Sequence, residues 1–386
     1  MAERIRVAHV YDWMCSQGGG AERSILSILR GLNQDKFDPY LFLTRRVSVE
    51  EEFNLQGIKV FPKQMEPHRR AIINHCKRIS PVYACTQIME VWKLARAGVD
   101  ILHIHSDSFL SRWVAAVCAK CLNIPVVNTV RVYADACSIS GGRQLLRNVP
   151  DFWIFLTPDH AEIMRPLLPD QKDVIRVIPN GIDVPRFQNP RVSRETVRSS
   201  FRIGDSTLLL CVGRLDASSK DFETLFSAFE RIRQSCDKAK LLVLGAGRDA
   251  AKVRSFAEDL ELERSVRFLG HRNDIPEFMN AADALLFPTH GESFGRVAAE
   301  AMAAGCPVVA SNVIGPRYVC DYGNAGLLAE PQDPEDMAKK TLRIINDPSL
   351  REKLKRNGRE RAEKMFSVPR MVQRHQQLYE ELLGIC

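Results

Sequence analysis

Short apolar runs rich in β-branched residues alternate along almost the whole chain with longer segments whose apolar residues recur at helical spacing. This is the pattern of strand–helix–strand units on parallel sheets covered on both faces, so the expected fold class is α/β. In the first half the pattern predicts strands at Ile5 to Val10, Tyr40 to Leu43, Ile58 to Phe61, Ile101 to Ile104, Val126 to Val130 and Phe152 to Leu156, with helices at Ala21 to Leu32 and Ser108 to Cys121. A second series has strands at Thr207 to Val212, Lys240 to Gly245, Val266 to Leu269, Ala284 to Phe287 and Pro307 to Ala310. Between them, Ile178-Pro179-Asn180-Gly181-Ile182-Asp183 followed by Pro185 and Pro190 concentrates turn residues and marks a linker. The expectation is two doubly wound domains, residues 1–175 and 176–366. A terminal helix over 367–386, spaced by Met371, Leu378, Leu382 and Leu383, is expected to return to the first.

At 386 residues, 45% hydrophobic and 26% charged, the chain can bury two cores and is not disordered. Its longest apolar runs, such as Trp113 to Ala119, fall short of the roughly 18 residues of a membrane span. His9, Tyr11 and Asp12 interrupt the N-terminal apolar stretch before it reads as a secretory segment. The eleven cysteines stand in apolar contexts without the spacing of a disulfide framework or zinc site, and a reduced, cytoplasmic setting is expected. A net charge of +7 favours anionic ligands without the density of a nucleic-acid footprint. Lys59 to Arg78 is locally basic (Lys59, Lys63, Arg69, Arg70, Lys77, Arg78 against Glu66) with Ala71, Ile72, Ile73 and Ile79 interleaved. It reads either as a solvated helix face or as a peripheral contact with an anionic membrane surface.

Ligands of doubly wound sheets bind beyond the carboxyl ends of strands, and three loops there carry chemistry. Gly18-Gly19-Gly20 precedes a helix, where backbone amides can approach a phosphate, though such a turn is as often structural. Gly213 to Asp221 holds Arg214 and Lys220, two cations able to converge on a diphosphate as a bond to it breaks. Pro288 to Gly305 carries Glu292 and Glu300. With Ser293 as the expected N-cap, the helix amides would meet a central phosphate and the two acids hydroxyls on either side. Glu300, set among Ala298, Ala299, Ala301 and Ala303, needs a partner.

The Glu292-to-Glu300 spacing around Ser293-Phe294-Gly295, the loop from Gly213 to Lys220, the Ile178 to Asp183 stretch, Gly18 to Glu22 and Val266 to Gly270 together resemble the family-4 retaining glycosyltransferases of GT-B fold. The resemblance covers nearly the whole chain. It implies two Rossmann-like domains facing across a cleft and transfer of a sugar from a nucleoside-diphosphate sugar, UDP first among the bases, to a hydroxyl of a glycan, lipid-linked or small-molecule acceptor. It further implies that Arg214 and Lys220 hold the diphosphate, helped by amides of Ser293, Phe294, Gly295 and the Gly18-Gly19 loop. Glu300 would take the ribose, Glu292 the sugar, and the loop at Arg272 the base. The implied chemistry uses no metal and no cofactor, and the chain has no Asp-x-Asp pair. Attack is expected on the front face, with the departing phosphate taking the acceptor's proton. Two positions depart from the family: Arg131 stands where relatives often have His, and Asp221 follows Lys220 where Gly is common. Arg131 and His105 are the candidates on the acceptor or sugar side.

Rival readings remain. Gly245-Ala246-Gly247-Arg248-Asp249-Ala250 fits a nicotinamide-dinucleotide fingerprint after a strand, but the next strand ends in Gly270-His271 without the acid expected for the ribose. A sugar phosphorylase, a nucleotide-sugar epimerase or a protein that binds without turnover would share much of the pattern.

Overall fold

The computed structural model describes residues 3–11, 19–43, 58–61, 81–105, 109–131, 149–168 and 172–385. Gly18 and most of the basic stretch, residues 62–80, lie outside them. The chain divides into two compact units, residues 1–181 with 368–386, and residues 182–367.

The first unit runs β1 (Ile5–Tyr11), α1 (Gly20–Gly31), β2 (Phe37–Leu43), β3 (Lys59–Phe61), α2 (Pro81–Arg96), β4 (Ile101–Ile104), α3 (Phe109–Cys121), β5 (Val126–Thr129), β6 (Phe152–Phe155), α4 (Pro158–Met164) and β7 (Ile175–Val177). Its seven strands are parallel in the order β3-β2-β1-β4-β5-β6-β7. Strand β2 starts at Phe37, earlier than the proline at position 39 suggests. Only Tyr40 to Phe42 pair with β3, so the amide hydrogen that Pro39 lacks is not missed on that side. Strand β7 went unread in the sequence because three residues centred on Arg176 carry no alternation.

The second unit runs α5 (Val184–Gln188), α6 (Arg194–Ser200), β8 (Leu208–Val212), α7 (Phe222–Ser235), β9 (Lys240–Leu244), α8 (Ala250–Glu258), β10 (Val266–Gly270), α9 (Ile275–Ala281), β11 (Ala284–Phe287), α10 (Arg296–Ala304), β12 (Val308–Ser311), α11 (Ile314–Val319), β13 (Leu327–Ala329), α12 (Pro334–Asn346) and α13 (Pro348–Phe366). Its sheet, also parallel, has the order β10-β9-β8-β11-β12-β13. Strand β8 is buried at every position, as a central parallel strand must be. Helix α7 lays Phe222, Phe226 and Phe229 on that core, each fully buried and worth roughly 1.5–3 kcal/mol.

After α13 the chain re-enters the first unit as α14 (Val368–Leu382). Met371, Val372, Leu378 and Tyr379 complete the core formed by Ile5, Val7, Ile28, Ile101 and Val127. The stretch read as a linker is ordered in part: Ile182 donates its amide to Phe366 O at 2.7 Å and Asp183 caps α5.

Both sheets reverse their winding beside the first strand, between β1 and β4 and between β8 and β11. Crevices beyond the carboxyl ends of strands at such reversals are where ligands of this architecture bind.

Candidate active site

In the second unit the two informative loops follow the strands that flank the reversal, β8 and β11. They are bound to each other: Ser219 O accepts His290 N at 3.2 Å and Thr289 Oγ1 at 2.8 Å. Lys220 Nζ lies 2.9 Å from Glu292 Oε2 and 4.3 Å from the centroid of the Phe287 ring. Lys220 and Glu292 are thus brought together, whereas Arg214 is exposed and forms no ion pair among the described residues. Asp221, where relatives often have Gly, caps α7: its carboxylate accepts Thr224 N at 3.1 Å and Thr224 Oγ1 at 2.6 Å. That cap, worth about 1 kcal/mol, fixes the C-terminal side of the Lys220 loop.

Helix α10 begins later than expected. Gly295, not Ser293, is the N-cap, in the left-handed region at φ +90°, and gives no side-chain cap. Glycine is needed there for the backbone conformation. Ser293 is buried in the preceding loop and the Phe294 ring packs edge-on against Phe366, 5.3 Å between centroids. Of the first-turn amides of α10, Ala298 N donates to Gly295 O at 3.0 Å, while those of Arg296 and Val297 precede any intrahelical acceptor and, with the helix dipole, form an anion-binding end. Glu300, the fifth residue of the helix and 4% exposed, has its partner in Arg296, whose Nε lies 2.8 Å from Oε1. Gly315 donates to Glu292 O at 2.9 Å, and a Cβ on it would stand 2.5 Å from Phe294 N, so α11 holds this loop by direct backbone contact.

Arg272 is turned along its own loop. Its Nε donates to Asp274 Oδ1 at 2.8 Å and its guanidinium lies over Phe278. That hydrogen bond holds the Asp274 carboxyl below its ordinary range.

The glycines of the dinucleotide-like motif serve another purpose. A Cβ on Gly245 would lie 1.8 Å from Gly213 O, and one on Gly247 2.2 Å from Leu215 O. Leu215 N donates to Ala246 O and Asp249 N to Leu215 O, both at 3.1 Å. The β9 loop is thus packed, backbone on backbone, beneath the loop that carries Arg214. It also follows β9 and not β8, the strand at the reversal. The nicotinamide reading fails on both counts.

In the first unit the strand ends at the reversal converge on a buried polar chain. Arg131 donates from Nε to His105 Nδ1 at 3.2 Å and from Nη1 to Asn180 Oδ1 at 3.0 Å. A guanidinium only donates, so His105 carries its proton on Nε2. His105 Nε2 lies 2.9 Å from His9 Nδ1, which must accept, and His9 Nε2 lies 3.5 Å from Tyr379 Oη. Tyr379 Oη is 2.6 Å from His103 Nδ1, and His103 Nε2 is 2.7 Å from Thr129 Oγ1. Donation thus runs one way from Arg131 to Thr129 through three neutral imidazoles. Burial holds His9, His103 and His105 well below the usual histidine range, with Arg131 and neighbouring histidines adding to it. Burial likewise brings His375, beside His103, to about 4.

The nitrogens of His9, His103 and His105 lie within 4.8 Å of one another, close enough to invite a metal. The hydrogen-bond pattern argues otherwise, because the proton on His105 Nε2 occupies the lone pair facing His9, and the guanidinium beside it repels a cation. Gly19, the remaining candidate here, stands at the N-cap of α1, where a Cβ would meet the Glu22 carboxylate at 2.5 Å.

Sequence reasoning missed His9, Tyr379 and Asn180. It also passed over Cys118 and Cys121, which have Cys-x-x-Cys spacing in the last turn of α3. Both are free, and the Cys118 thiol is pushed up by burial and then by Cys121, the reverse of an activated redox pair.

Residues 193–361 match the family pattern described as Glycosyl transferases group 1, and residues 18–186 that described as Glycosyltransferase Family 4. A D-inositol 3-phosphate glycosyltransferase of Corynebacterium jeikeium is 34% identical over 311 residues, covering 74% of this chain and 73% of the relative. An N-acetyl-α-D-glucosaminyl L-malate synthase of Bacillus anthracis is 25% identical over 295 residues, covering 75% and 76%. Among solved structures, a glycosyltransferase from Rickettsia africae superposes with a TM-score of 0.83 at 17% identity over 98% of this chain and 99% of that one. Anabaena HepE in complex with UDP gives 0.79 at 19% identity over 98% and 100%. Fold and relatives together define a glycosyltransferase of GT-B architecture. The chain belongs to glycosyltransferase family 4.

Proposed function

We propose that the enzyme transfers a sugar, with retention and without a metal, from a UDP-sugar to a hydroxyl of an acceptor that carries a carboxylate or phosphate. The observation that carries the donor half is the Lys220–Glu292 pair beside the uncapped N-terminus of α10 at the β8/β11 reversal. A diphosphate seated on the α10 amides has Lys220 and Arg214 at hand to neutralise the charge that grows as the glycosidic bond breaks. These cations and the helix end supply what a divalent ion would otherwise supply. Glu292, in the loop before the helix, and Glu300, its fifth residue, are the acids suited to hydroxyls of the sugar and of the ribose. Anabaena HepE has been solved with UDP and with UDP-glucose, which supports uridine as the base and glucose as the first sugar to try.

In the chemical step the acceptor oxygen attacks the anomeric carbon on the face from which the diphosphate departs. The bond to the β-phosphate oxygen breaks, and that oxygen receives the acceptor's proton. Glu292, committed to hydrogen bonding, forms no covalent intermediate. On the acceptor side the reading rests on Arg131, whose guanidinium is set by His105 and Asn180 at the carboxyl edge of β5. The names of two relatives carry an L-malate and an inositol phosphate, both anionic.

The test is a transfer assay with UDP-glucose and a panel of hydroxy acids and polyol phosphates in EDTA, with the product anomer read by NMR. An α-linked product at undiminished rate in EDTA supports the proposal. An inverted product, or activity recovered only on adding a divalent ion, overturns it, and consumption of glucosyl product by inorganic phosphate would make the enzyme a phosphorylase.

A further inference from the structure

The two side chains assigned to different parts of the donor, Lys220 to the diphosphate and Glu292 to the sugar, are bonded to each other. Their backbones cannot separate easily. Ser219 O ties the Lys220 loop to Thr289 and His290, and Gly315 N holds Glu292 O. Only the side chains are free to part. Lys220 is 15% and Glu292 29% exposed, so their attraction is only partly screened by water. A diphosphate arriving at the α10 amides needs Lys220 and cannot tolerate an unpaired carboxylate beside it.

Resting on the donor-site reading above, we propose that the Lys220–Glu292 ion pair is a latch that opens for the intact donor and recloses to expel the nucleoside diphosphate. Binding of the diphosphate releases Glu292, which can then satisfy itself only on the hydroxyls of an attached sugar. With a UDP-sugar the broken pair is replaced by two new sets of hydrogen bonds. With UDP alone Glu292 is left against the phosphates, and reforming the pair opposes retention of the product. The same contact therefore discriminates substrate from product and keeps free sugar from binding without its nucleotide.

Titration calorimetry with UDP and UDP-glucose, on the wild type, Glu292→Gln, Lys220→Met and the double variant, tests this. Glu292→Gln keeps the shape and removes the charge. It should bind UDP about tenfold more tightly than the wild type while losing preference for UDP-glucose over UDP. Glu292→Ala serves as a second variant if the amide finds a new partner. In the Lys220→Met background the gain from Glu292→Gln should shrink several-fold, since the latch needs both members. Equal or weaker UDP binding by both folded Glu292 variants overturns the latch while leaving the donor site standing. Failure of UDP, GDP and ADP to bind any of these proteins overturns the donor-site reading and the latch with it.

Discussion

Lowering the pH from 7.5 to 5.5 should remove much of the first unit's stability while leaving the second largely intact. Five histidines of the first unit, His9, His103, His105, His160 and His375, are buried, and burial depresses all five. The second unit has only His271 and His290, both exposed. A histidine depressed in the folded state remains neutral there while its unfolded counterpart takes up a proton below about pH 6.5. Stability is therefore present in full above that pH and falls as pH drops through the window down to the folded value, which for His160 and His375 is about 4. Each such group costs about 1.4 kcal/mol per pH unit in this window, so five cost at most roughly 7 kcal/mol per unit. A domain's whole stability is about 5–15 kcal/mol. The carboxylates depressed by ion pairs act only nearer pH 4 and leave this window clear. All four tryptophans, Trp13, Trp92, Trp113 and Trp153, belong to the first unit, so their fluorescence reports that unit alone. Urea titrations followed by tryptophan emission should show the midpoint collapsing between pH 7 and 5.5, with uptake of several protons. A midpoint that stays put over this range would refute the reasoning, and with it the neutral state of the buried imidazoles.

Four further outcomes are expected. Arg214→Ala, at an exposed position, should leave the melting temperature unchanged and lower kcat/KM for the donor about 10²-fold; a loss below threefold would remove Arg214 from the site. Gly245→Ala should destabilise the second unit by about 3 kcal/mol, measured by calorimetric melting, because its methyl group must displace the Gly213 carbonyl, and NAD should not stabilise the wild type. Glu300→Gln should weaken UDP binding about tenfold and leave Arg296 without its charge partner, which calorimetry reads directly. Arg131→Gln should raise the acceptor KM tenfold or more with donor affinity unchanged, once the acceptor panel has yielded a substrate.

Much of this was legible along the chain because period-2 and period-3.6 patterns are local. The β8 and β11 strands and the loops after them could be read from the order of residues alone, and the structure brings Lys220 and Glu292 of those loops together. The buried chain of the first unit could not, since His9 and Tyr379 are 370 positions apart and nothing in either neighbourhood points to the other. Ser293 looked like a helix cap by residue type, but the left-handed conformation that Gly295 alone accepts moved the start of α10 two residues on. Gly245 and Gly247 mimicked a phosphate loop because close backbone approach demands glycine whether the neighbour is a pyrophosphate or another strand's loop. Strands β7 and β13, three residues each at sheet edges, are too short to show a period.

The return of α14 inverts the order in which the two units can be finished on the ribosome. The first unit's core lacks Met371, Val372, Leu378 and Tyr379 until residues 368–382 have left the exit tunnel, whereas the second needs nothing beyond Ser367. At about 5–20 residues per second, synthesis of the intervening unit takes roughly 10–40 s. For that time Ile5, Val7, Ile101 and Val127 lack the apolar partners that α14 supplies. The half made first is thus completed last.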